Sequence, residues 1–224
     1  MRLVYGLSDA QVNTEGSWMV AKCSRFLDEA LNTREAVAVH AKSTAIARYF
    51  ASRFNEQLRA TAGANNQAVQ AKAPTLFFVP CYVYEVEGKE GGSTTDPMYK
   101  EPQCFAAERF LPGVFLKYNS NNGYVAETHL RHHEAIQAFL HFTFGVSDGR
   151  LLVADLQGVA RSAEVILTDP QVLSHERGFG PGDLGASGMS ACLAAHRCGP
   201  TCRRLGLQPV SAAMLRRLGG QAST

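Results

Sequence analysis

The sequence predicts an α+β protein of 224 residues that folds as two lobes. Three observations lead to this class. Strand-like runs flank one long helical pattern in residues 1–86, a polar loop follows at 87–102, and the remaining chain combines helical patterns with a short buried strand. We therefore expect an N-terminal lobe at 1–86, a linker at 87–103 and a C-terminal lobe at 104–224.

The composition is that of a globular protein, with 46% apolar and 19% charged residues. The net charge of +2 gives no sign of a nucleic-acid partner, and we expect none. No apolar run approaches the ~18 residues of a membrane span, so we expect no membrane partner either. Of the six cysteines, only Cys198 and Cys202 lie at a short spacing beside a histidine, which indicates metal binding in a reducing, cytoplasmic compartment.

The first 30 residues predict two strands, at 2–7 and 17–23, joined by a polar hairpin connection at 8–16. Lys22 lies on the second strand, where a compact positive charge could contact phosphate oxygens. Judged by the pattern alone, a lysine at the end of a strand is more often a solvated edge charge. The two interpretations stay open at this level.

The next segments predict one helix and one strand. Apolar residues recur at helical spacing over 33–58, and the Ala-, Gln- and Asn-rich stretch 59–73 is typical of a mobile connection. Residues 75–86 form one long β-prone run, which Pro80 interrupts and so favours an edge strand or a bulge. Glu35 and Glu56 lie near the helix ends, so neither is assigned as a partner for Lys22.

The stretch 151–207 holds most of the chemistry. Residues 151–154 form a short apolar run that predicts a buried strand, and the strand ends on Asp155 with Gln157 two positions later. A carboxylate and an amide at this point are costly to bury unless something uses them. Asp169, in a turn closed by Pro170, adds a second carboxylate, and oxygen ligands of this kind suit Mg²⁺.

Two further patterns occur in this stretch. His196, Cys198 and Cys202 are spaced so that one Zn²⁺ ion could reach all three as a helix ends and turns. Residues 180–185 match G-x-G-x-x-G before a predicted helix at 187–195, which is one mark of a dinucleotide-binding fold. That interpretation needs a strand leading into the glycines, and the preceding residues are polar and turn-like, so it is disfavoured.

A predicted amphipathic helix at 130–144 carries His141, which on its own would be an ordinary satisfied histidine. His132, His133 and His175 fit no metal spacing and are expected to be exposed, although His133 competes with His141 as a fourth zinc ligand. The tail after residue 207 predicts one short helix and a frayed end.

Four motifs follow one another in 151–207. They are Asp155-Leu-Gln157-Gly-Val, Leu167-Thr-Asp169-Pro, Phe179-Gly-Pro-Gly-Asp183-Leu-Gly185 and His196-Arg-Cys198-Gly-Pro-Thr-Cys202. In this order they resemble the signature of the atypical alpha-kinase family, of the elongation-factor-2-kinase and myosin-heavy-chain-kinase kind. Upstream, Glu108-Arg-Phe-Leu-Pro-Gly, Lys117-Tyr-Asn-Ser-Asn-Asn-Gly and Gln137-Ala-Phe-Leu-His141-Phe-Thr resemble three more family motifs. Neither an H-R-D nor a D-F-G motif occurs, which excludes a conventional protein kinase.

The resemblance implies a two-lobed, protein-kinase-like alpha-kinase fold that phosphorylates Ser or Thr of a protein substrate with ATP. It implies Asp155 as the general base, Gln157 and Asp169 as Mg²⁺ ligands, and a structural Zn²⁺ that stabilises the C-terminal lobe. The implied zinc ligands are His141, His196, Cys198 and Cys202. The implied ATP-binding residues are Arg2, Lys22, Glu85, Gly180, Gly182 and Gly185.

Some features depart from the family pattern. The glycine-bearing loop expected before Arg2 is missing, which indicates that the N-terminal lobe is truncated or has lost its phosphate cover. Asp155 and Asp169 lie fourteen positions apart, against about ten in the family, so 160–165 contains an insertion. Asp183 replaces an asparagine, where its charge would repel phosphate, and Gly199 replaces another. A degenerate, inactive domain that serves as a zinc-stabilised binding scaffold is therefore the alternative.

Overall fold

The computed structural model describes residues 2–8, 18–23, 33–64, 73–85 and 104–220, without the side chains at 2–8 and a few helix and strand ends. The elements in chain order are β1 Arg2–Ser8, β2 Trp18–Cys23, α1 Arg34–Ala64, β3 Thr75–Phe78, β4 Cys81–Glu85, β5 Cys104–Arg109, β6 Phe115–Lys117, α2 His133–Val146, β7 Leu151–Ala154, β8 Gln157–Ala160, β9 Glu164–Thr168, β10 Gln171–Ser174, α3 Gly185–Ala195, α4 Pro200–Arg204 and α5 Ala212–Gly220. The α+β class is confirmed.

The chain divides into two compact units that interleave along the sequence. The first comprises residues 1–42 and 80–110, and the second comprises 43–79 and 111–224. Helix α1 begins in the first unit and continues in the second. The predicted lobes at 1–86 and 104–224 follow chain order and stay a prediction, as does the linker at 87–103, all of which lies outside the described residues.

The first unit is built on a four-stranded sheet with the strand order β1-β2-β5-β4, antiparallel throughout. The strands predicted at 2–7 and 17–23 are confirmed, and the predicted connection between them lies almost entirely outside the described residues. Val37 at the start of α1 packs against Cys104 and Ala106 of β5. One face of this sheet therefore holds a small apolar core.

The second unit holds the main core. A four-stranded sheet with the order β3-β9-β8-β6 and a two-stranded sheet of β7 and β10 pack with α2, α3 and the later part of α1. Phe54 of α1 meets Phe139 and Phe142 of α2 edge to face, with ring centroids 5.5 and 5.3 Å apart. Because α2 is buried along nearly its whole length, any polar side chain that it carries must find a partner inside the core.

The predicted long strand at 75–86 is wrong as a single element. The chain changes sheets at Val79 and Pro80, so β3 pairs in parallel with β9 of the second unit and β4 pairs with β5 of the first. Proline at the break explains the change, because it has no N–H with which to continue a strand ladder.

Helix α1 is longer than predicted, since it ends at Ala64 and takes in part of the stretch assigned to a mobile connection. Thr33 begins it in the usual way, because its hydroxyl accepts a hydrogen bond from the backbone N–H of Ala36 at 3.3 Å. Residues 60, 62 and 64 are alanines, and alanine is the best helix former, which accounts for the extension past residue 58.

The insertion between the two predicted carboxylates is accommodated at the far end of the β8–β9 hairpin. Regular pairing runs from Gln157 opposite Thr168 to Ala160 opposite Val165, and the turn lies beyond it. The extra residues therefore lengthen the hairpin away from Asp155 and Asp169.

Among the described helices, none is long and apolar enough to cross a membrane.

Candidate functional site

Asp155 and Asp169 occupy matching bends in neighbouring chain segments of the second unit. Asp155 follows the last residue of β7 and Asp169 follows the last residue of β9, and both have left-handed backbones with φ of 57° and 55°. On one side of the bends Ala154 pairs with Gln171, and on the other Gln157 pairs with Thr168. The strand register thus carries both aspartates to the same end of the hairpin.

The Asp155 carboxylate is held from two directions. The Lys117 ammonium lies 2.5 Å from one carboxylate oxygen, and the Gln157 side-chain amide donates to the other at 3.1 Å. Lys117 and Gln157 are direct cross-strand partners on β6 and β8. Buried Asn119 accepts a hydrogen bond from the backbone N–H of Leu156 at 2.9 Å and so fixes the bend after Asp155.

No role was predicted from the sequence for Lys117, which belongs to this candidate site. The one sequence feature that could have pointed to it was the Lys-Tyr-Asn motif, which resembles a family motif but does not indicate which residue Lys117 contacts. Because Lys117 and Asp155 lie 38 positions apart, only the pairing of β6 with β8 brings them together.

One face of the four-stranded sheet carries two adjacent rows of side chains. Cross-strand partners share a face, and the strand register aligns an apolar row and, one step closer to Asp155, a polar row. The apolar row is Phe77, Ile166, Val159 and Phe115, and the polar row is Lys117, Gln157 and Thr168. The rings of Phe77 and Phe115, at the two ends of the apolar row, are 47% and 51% exposed. Such exposed phenylalanine rings near a polar row are typical of a binding surface.

The glycine-rich loop is closed on itself by Asp183. This buried carboxylate accepts hydrogen bonds from the hydroxyl and the N–H of Ser174 at 2.6 and 2.9 Å, and from the N–H groups of Phe179 and Gly185 at 3.3 and 3.0 Å. That Asp183 would repel a bound phosphate stays a prediction. Its charge is directed into the loop, where four donors stabilise it.

The loop glycines have local packing reasons. A Cβ on Gly182 would lie 1.8 Å from the side-chain oxygen of Gln171, and Gly185 has a φ of +67° where α3 begins. Gly180 also has a positive φ, of 77°. The Gly185 N–H already donates to Asp183, so this amide is engaged within the loop.

In the first unit, Lys22 forms a buried ion pair with Glu108. Its ammonium lies 2.7 Å from a Glu108 carboxylate oxygen, and both side chains are about 5% exposed. Lys22 is thus not the solvated edge charge that the pattern alone favours. This partner comes from β5, because β2 and β5 are adjacent strands and place both residues on the face that packs on α1.

The other predicted nucleotide contacts of this unit are less defined. Glu85 is the last residue of β4 and pairs with the Arg34 guanidinium at 3.1 Å, with both side chains exposed. The Arg2 side chain lies outside the described residues.

Four predicted metal ligands converge in the second unit. The ligand atoms of His141, His196, Cys198 and Cys202 lie within 4.8 Å of one another. The Cys198 sulfur is 3.6 Å from His141 Nδ1, and the Cys202 sulfur is 3.5 Å from His196 Nε2. A tetrahedral zinc ion with ordinary bond lengths would separate sulfur and nitrogen ligands by about 3.5 Å. The donor set therefore fits zinc and, with four protein ligands, would be closed.

Burial favours the uncharged form of His141, His196 and Cys202. It lowers the pKa of His141, and with His141 and Arg197 nearby it lowers the pKa of His196 to about 4. Burial also raises the pKa of the Cys202 thiol to about 11. Both histidines are thus neutral, as metal ligands must be, while a metal would be needed to hold Cys202 as thiolate.

His133 does not join this cluster, so His141 is the histidine of α2 that does. The expectation that His133 is exposed is wrong, because it is 9% exposed at the first turn of α2, where burial lowers its pKa. Among the cysteines that the structure describes, Cys81, Cys104 and Cys192 form no disulfide bond and lie outside the cluster.

The fold and these sites together define a two-unit α+β protein of the kinase class with a His₂Cys₂ cluster. The chain is similar to the crystal structure of the alpha-kinase domain of myosin heavy chain kinase A in complex with AMP, at a TM-score of 0.68 and 27% identity, over 86% of this chain and 67% of that chain. It is also similar to the same domain in complex with ADP, at a TM-score of 0.65 and 26% identity, over 90% of this chain and 72% of that one.

The sequence comparisons agree. The model of the alpha-kinase family matches residues 1–202, and the chain therefore belongs to this family. Alpha-protein kinase vwkA of Dictyostelium discoideum is 29% identical over 88% of this chain, and eukaryotic elongation factor 2 kinase of Mus musculus is 41% identical over 47%. The chain spans 28% and 14% of the lengths of these two relatives.

Proposed function

We propose that this chain is the catalytic domain of a serine/threonine protein kinase, which transfers the γ-phosphate of Mg-ATP to a protein hydroxyl group. The observation that carries the proposal is the pair of rows on one sheet face, apolar and then polar, which ends at Asp155 and Asp169. Such a surface suits a ligand with an apolar ring at one end and negative charge at the other.

The rows assign the parts of the nucleotide. The apolar row offers an apolar surface to the adenine base, with the exposed ring of Phe115 on the same strand as Lys117. The polar row lies on the side of the triphosphate, where the ammonium of Lys117 offsets negative charge. Of the residues that the family resemblance implies as ATP contacts, Lys22, which Glu108 orients, Arg2 and Glu85 belong to the first unit, and the loop glycines Gly180, Gly182 and Gly185 belong to the second.

Mg²⁺ would be held by the Asp169 carboxylate and by Gln157. The amide nitrogen of Gln157 donates to Asp155, so its carbonyl oxygen is the atom that can bind a cation. Bound Mg²⁺ neutralises phosphate charge during transfer. The orientation of the Gln157 side chain thus supports separate roles, with its carbonyl oxygen as a Mg²⁺ ligand and the adjacent Asp155 carboxylate kept for catalysis.

Asp155 would act as the general base. Its left-handed backbone and its bonds to Lys117 and Gln157 hold the carboxylate at one orientation. A base of this kind orients the substrate hydroxyl and accepts its proton while the phosphoryl group is transferred. Lys117 keeps the carboxylate charge balanced until the hydroxyl arrives.

The four-residue cluster would hold a structural Zn²⁺. With all four ligands supplied by the protein, no position is left for water or substrate, so the ion would stabilise the fold and take no part in transfer. Cys198 and Cys202 must stay unoxidised to bind metal, which needs a reducing compartment, and we therefore propose a cytoplasmic location.

Two of the departures that suggested an inactive scaffold are accounted for. The insertion lengthens a hairpin at its far end, and Asp183 is hydrogen-bonded within its own loop. Neither places a disruptive group at Asp155. Catalysis is therefore the better-supported function, and the scaffold is an outcome of the test.

The test measures ATP binding by calorimetry with and without Mg²⁺, and then transfer of labelled γ-phosphate to a threonine-rich peptide. We expect Mg²⁺-dependent binding followed by transfer. Phe115→Ala should raise the KM for ATP, whereas Tyr49→Ala, which removes an exposed ring on α1, should not. Tight ATP binding without transfer would favour the scaffold, and no binding at all would reject the proposed site.

A further inference from the structure

The segment 199–205, which carries the metal-cluster residue Cys202, is fastened on two sides by polar contacts. It contains the short helix α4, which begins after Gly199. On one side it contacts Glu134 of α2, and on the other it contacts the later turns of α1. No role in the proposed kinase chemistry accounts for these contacts.

Glu134 caps the N-terminus of α4, because Gly199 at the N-cap position has no side chain that could bond the free N–H groups of the first turn. The Glu134 carboxylate accepts hydrogen bonds from the N–H of Thr201 at 2.8 Å and from its hydroxyl at 2.5 Å. Since Glu134 and His141 lie on the same helix, the cap joins the turn that carries Cys202 to the element that carries another ligand.

Gly199 is what makes room for this cap. A Cβ at this position would lie 2.3 Å from a Glu134 carboxylate oxygen and 2.9 Å from its Cγ. Any side chain here would push the carboxylate off Thr201. The two residues therefore form a matched pair, in which the absence of one side chain permits the contact of the other.

The other side of the segment holds α1. The Arg204 guanidinium donates to the backbone carbonyl of Leu58 at 2.5 Å and to the Thr61 hydroxyl at 3.0 Å. The Gln57 amide donates to the carbonyl of Leu205 at 3.2 Å. These bonds connect Arg204, the last residue of α4, and Leu205 just after it to residues 57–61 of α1, about one helical turn, in the second unit.

We propose that Glu134 is a positioning residue for the metal cluster, and that residues 199–205 transmit metal binding to the packing of the second half of α1. The inference depends on the zinc ion proposed above for this cluster. A metal that fixes Cys202 also fixes the segment around it. That segment in turn holds Arg204 against α1.

The first test measures metal affinity in the full chain, with Co²⁺ as a visible-absorbing probe and Zn²⁺ competition. Glu134→Ala should weaken metal binding by about 10–100-fold, as is usual when a group supporting a ligand is lost. Glu127→Ala is the matched control, because Glu127 is a surface glutamate whose described contact is with exposed His129. Glu134→Gln, which keeps the length of the side chain, serves if the alanine variant does not fold.

Gly199→Asn provides the decisive pairing. Alone, this substitution should also weaken metal binding, because the new side chain displaces Glu134. Combined with Glu134→Ala it should restore much of the affinity, since asparagine is a good N-cap and the backbone of Gly199 is extended, as a cap requires. Losses that simply add would contradict the matched pair.

The second test follows hydrogen exchange in α1. Removing metal from the wild-type chain should reduce protection over residues 55–64, whereas Arg204→Ala should leave metal affinity intact and make that protection independent of metal. Arg203→Ala, an exposed neighbour on α4, is the control.

The outcomes separate this inference from the metal site itself. Failure of the wild-type chain to bind Co²⁺ or Zn²⁺ would reject the metal site and this inference together. Normal binding by the wild type with equal affinity in Glu134→Ala, and a melting temperature lowered equally with and without metal, would overturn only the positioning role.

Discussion

The second unit contains two convergences of polar side chains that differ in access. In the metal cluster, His141, His196 and Cys202 are at most 5% exposed and all four ligand atoms face one another. At the Asp155 end of the hairpin, the Lys117 side chain is 45% exposed and the Asp155 side chain 18%. In the metal cluster, one bound ion would engage all four ligand atoms. The Asp155 end leaves charge and apolar rings accessible to a ligand that comes and goes.

The difference shows how one core can support both stability and chemistry. The metal cluster ties α2 to the segment that follows α3, far along the chain from each other. Buried Asn119 fixes the backbone of the Asp155 site from the core side, whereas the side chains of Lys117 and Asp155 are partly exposed to solvent. Changes at the first site should thus be felt as stability, and changes at the second as turnover.

The largest expected effect is on turnover. Asp155→Asn removes the proposed base while keeping a residue that tolerates the left-handed backbone, and transfer should fall about 10²–10⁴-fold. Peptide phosphorylation is the measurement, with bound zinc and the melting temperature as checks on folding. Asp148→Asn is the matched control, since Asp148 is an exposed aspartate with a φ of 53°. Unchanged turnover in Asp155→Asn would remove this residue from the mechanism.

Next comes stability at the closed site. Cys198→Ser, or removal of metal with a chelator, should lower the melting temperature by about 10 °C or more, because a metal contributes folding free energy and each kcal/mol shifts a domain of this size by about 2–4 °C. Cys104→Ser removes a buried thiol outside the cluster and should leave the response to chelator unchanged. A chelator without effect on wild-type unfolding would show that the site has no structural role.

A smaller effect on turnover is expected at Lys117. Lys117→Ala should reduce transfer about 10–100-fold, since removing one preorganised charge from a site of this kind usually costs a few kcal/mol at most in partly solvated surroundings. Lys117→Arg should retain more activity than the alanine variant. Steady-state kinetics distinguish a loss in kcat from a weaker KM for ATP. If both variants matched the wild type, the ion pair with Asp155 would be incidental.

The smallest effect concerns His133, a buried histidine outside both sites. Burial lowers its pKa below 6.5, so the unfolded chain takes up the proton first as the pH falls. Its contribution to stability is complete above pH 6.5 and is lost as the pH drops through the lowered pKa. Denaturant unfolding of the wild type and of His133→Gln between pH 7 and 5 checks this, and the variant should show the weaker pH dependence. Parallel curves would contradict it.

How far the sequence predicts the molecule depends on how locally a feature is encoded. The hairpin strands, α2 and α3 follow from periodicity within each segment, and the family motifs identify the four metal-cluster residues. The run at 75–86 failed because its two halves pair in different sheets, which a local pattern does not reveal. The burial of His133 was missed for the same reason, since it depends on what packs over the first turn of α2.

The partners of the charged residues were also beyond local pattern. No carboxylate partner was predicted for Lys22 from the sequence. Its partner Glu108 comes from a strand 86 positions later. The role of Asp183 was predicted from its charge alone, because the four donors that bond its carboxylate come together only in the folded loop.

By itself, the order of residues determined the family, the kinds of atoms available for phosphate, magnesium and zinc, and the helices that carry them. The family follows from the resemblance of motifs in a fixed order, and the rest follows from residue type, short spacing and periodicity, none of which requires the fold. Tertiary structure alone decided that Lys117 contacts Asp155, that Glu108 neutralises Lys22 and that Glu134 caps the turn beside Gly199. Electrostatic and hydrogen-bond energies depend on distance in space, and strand register and helix packing set that distance.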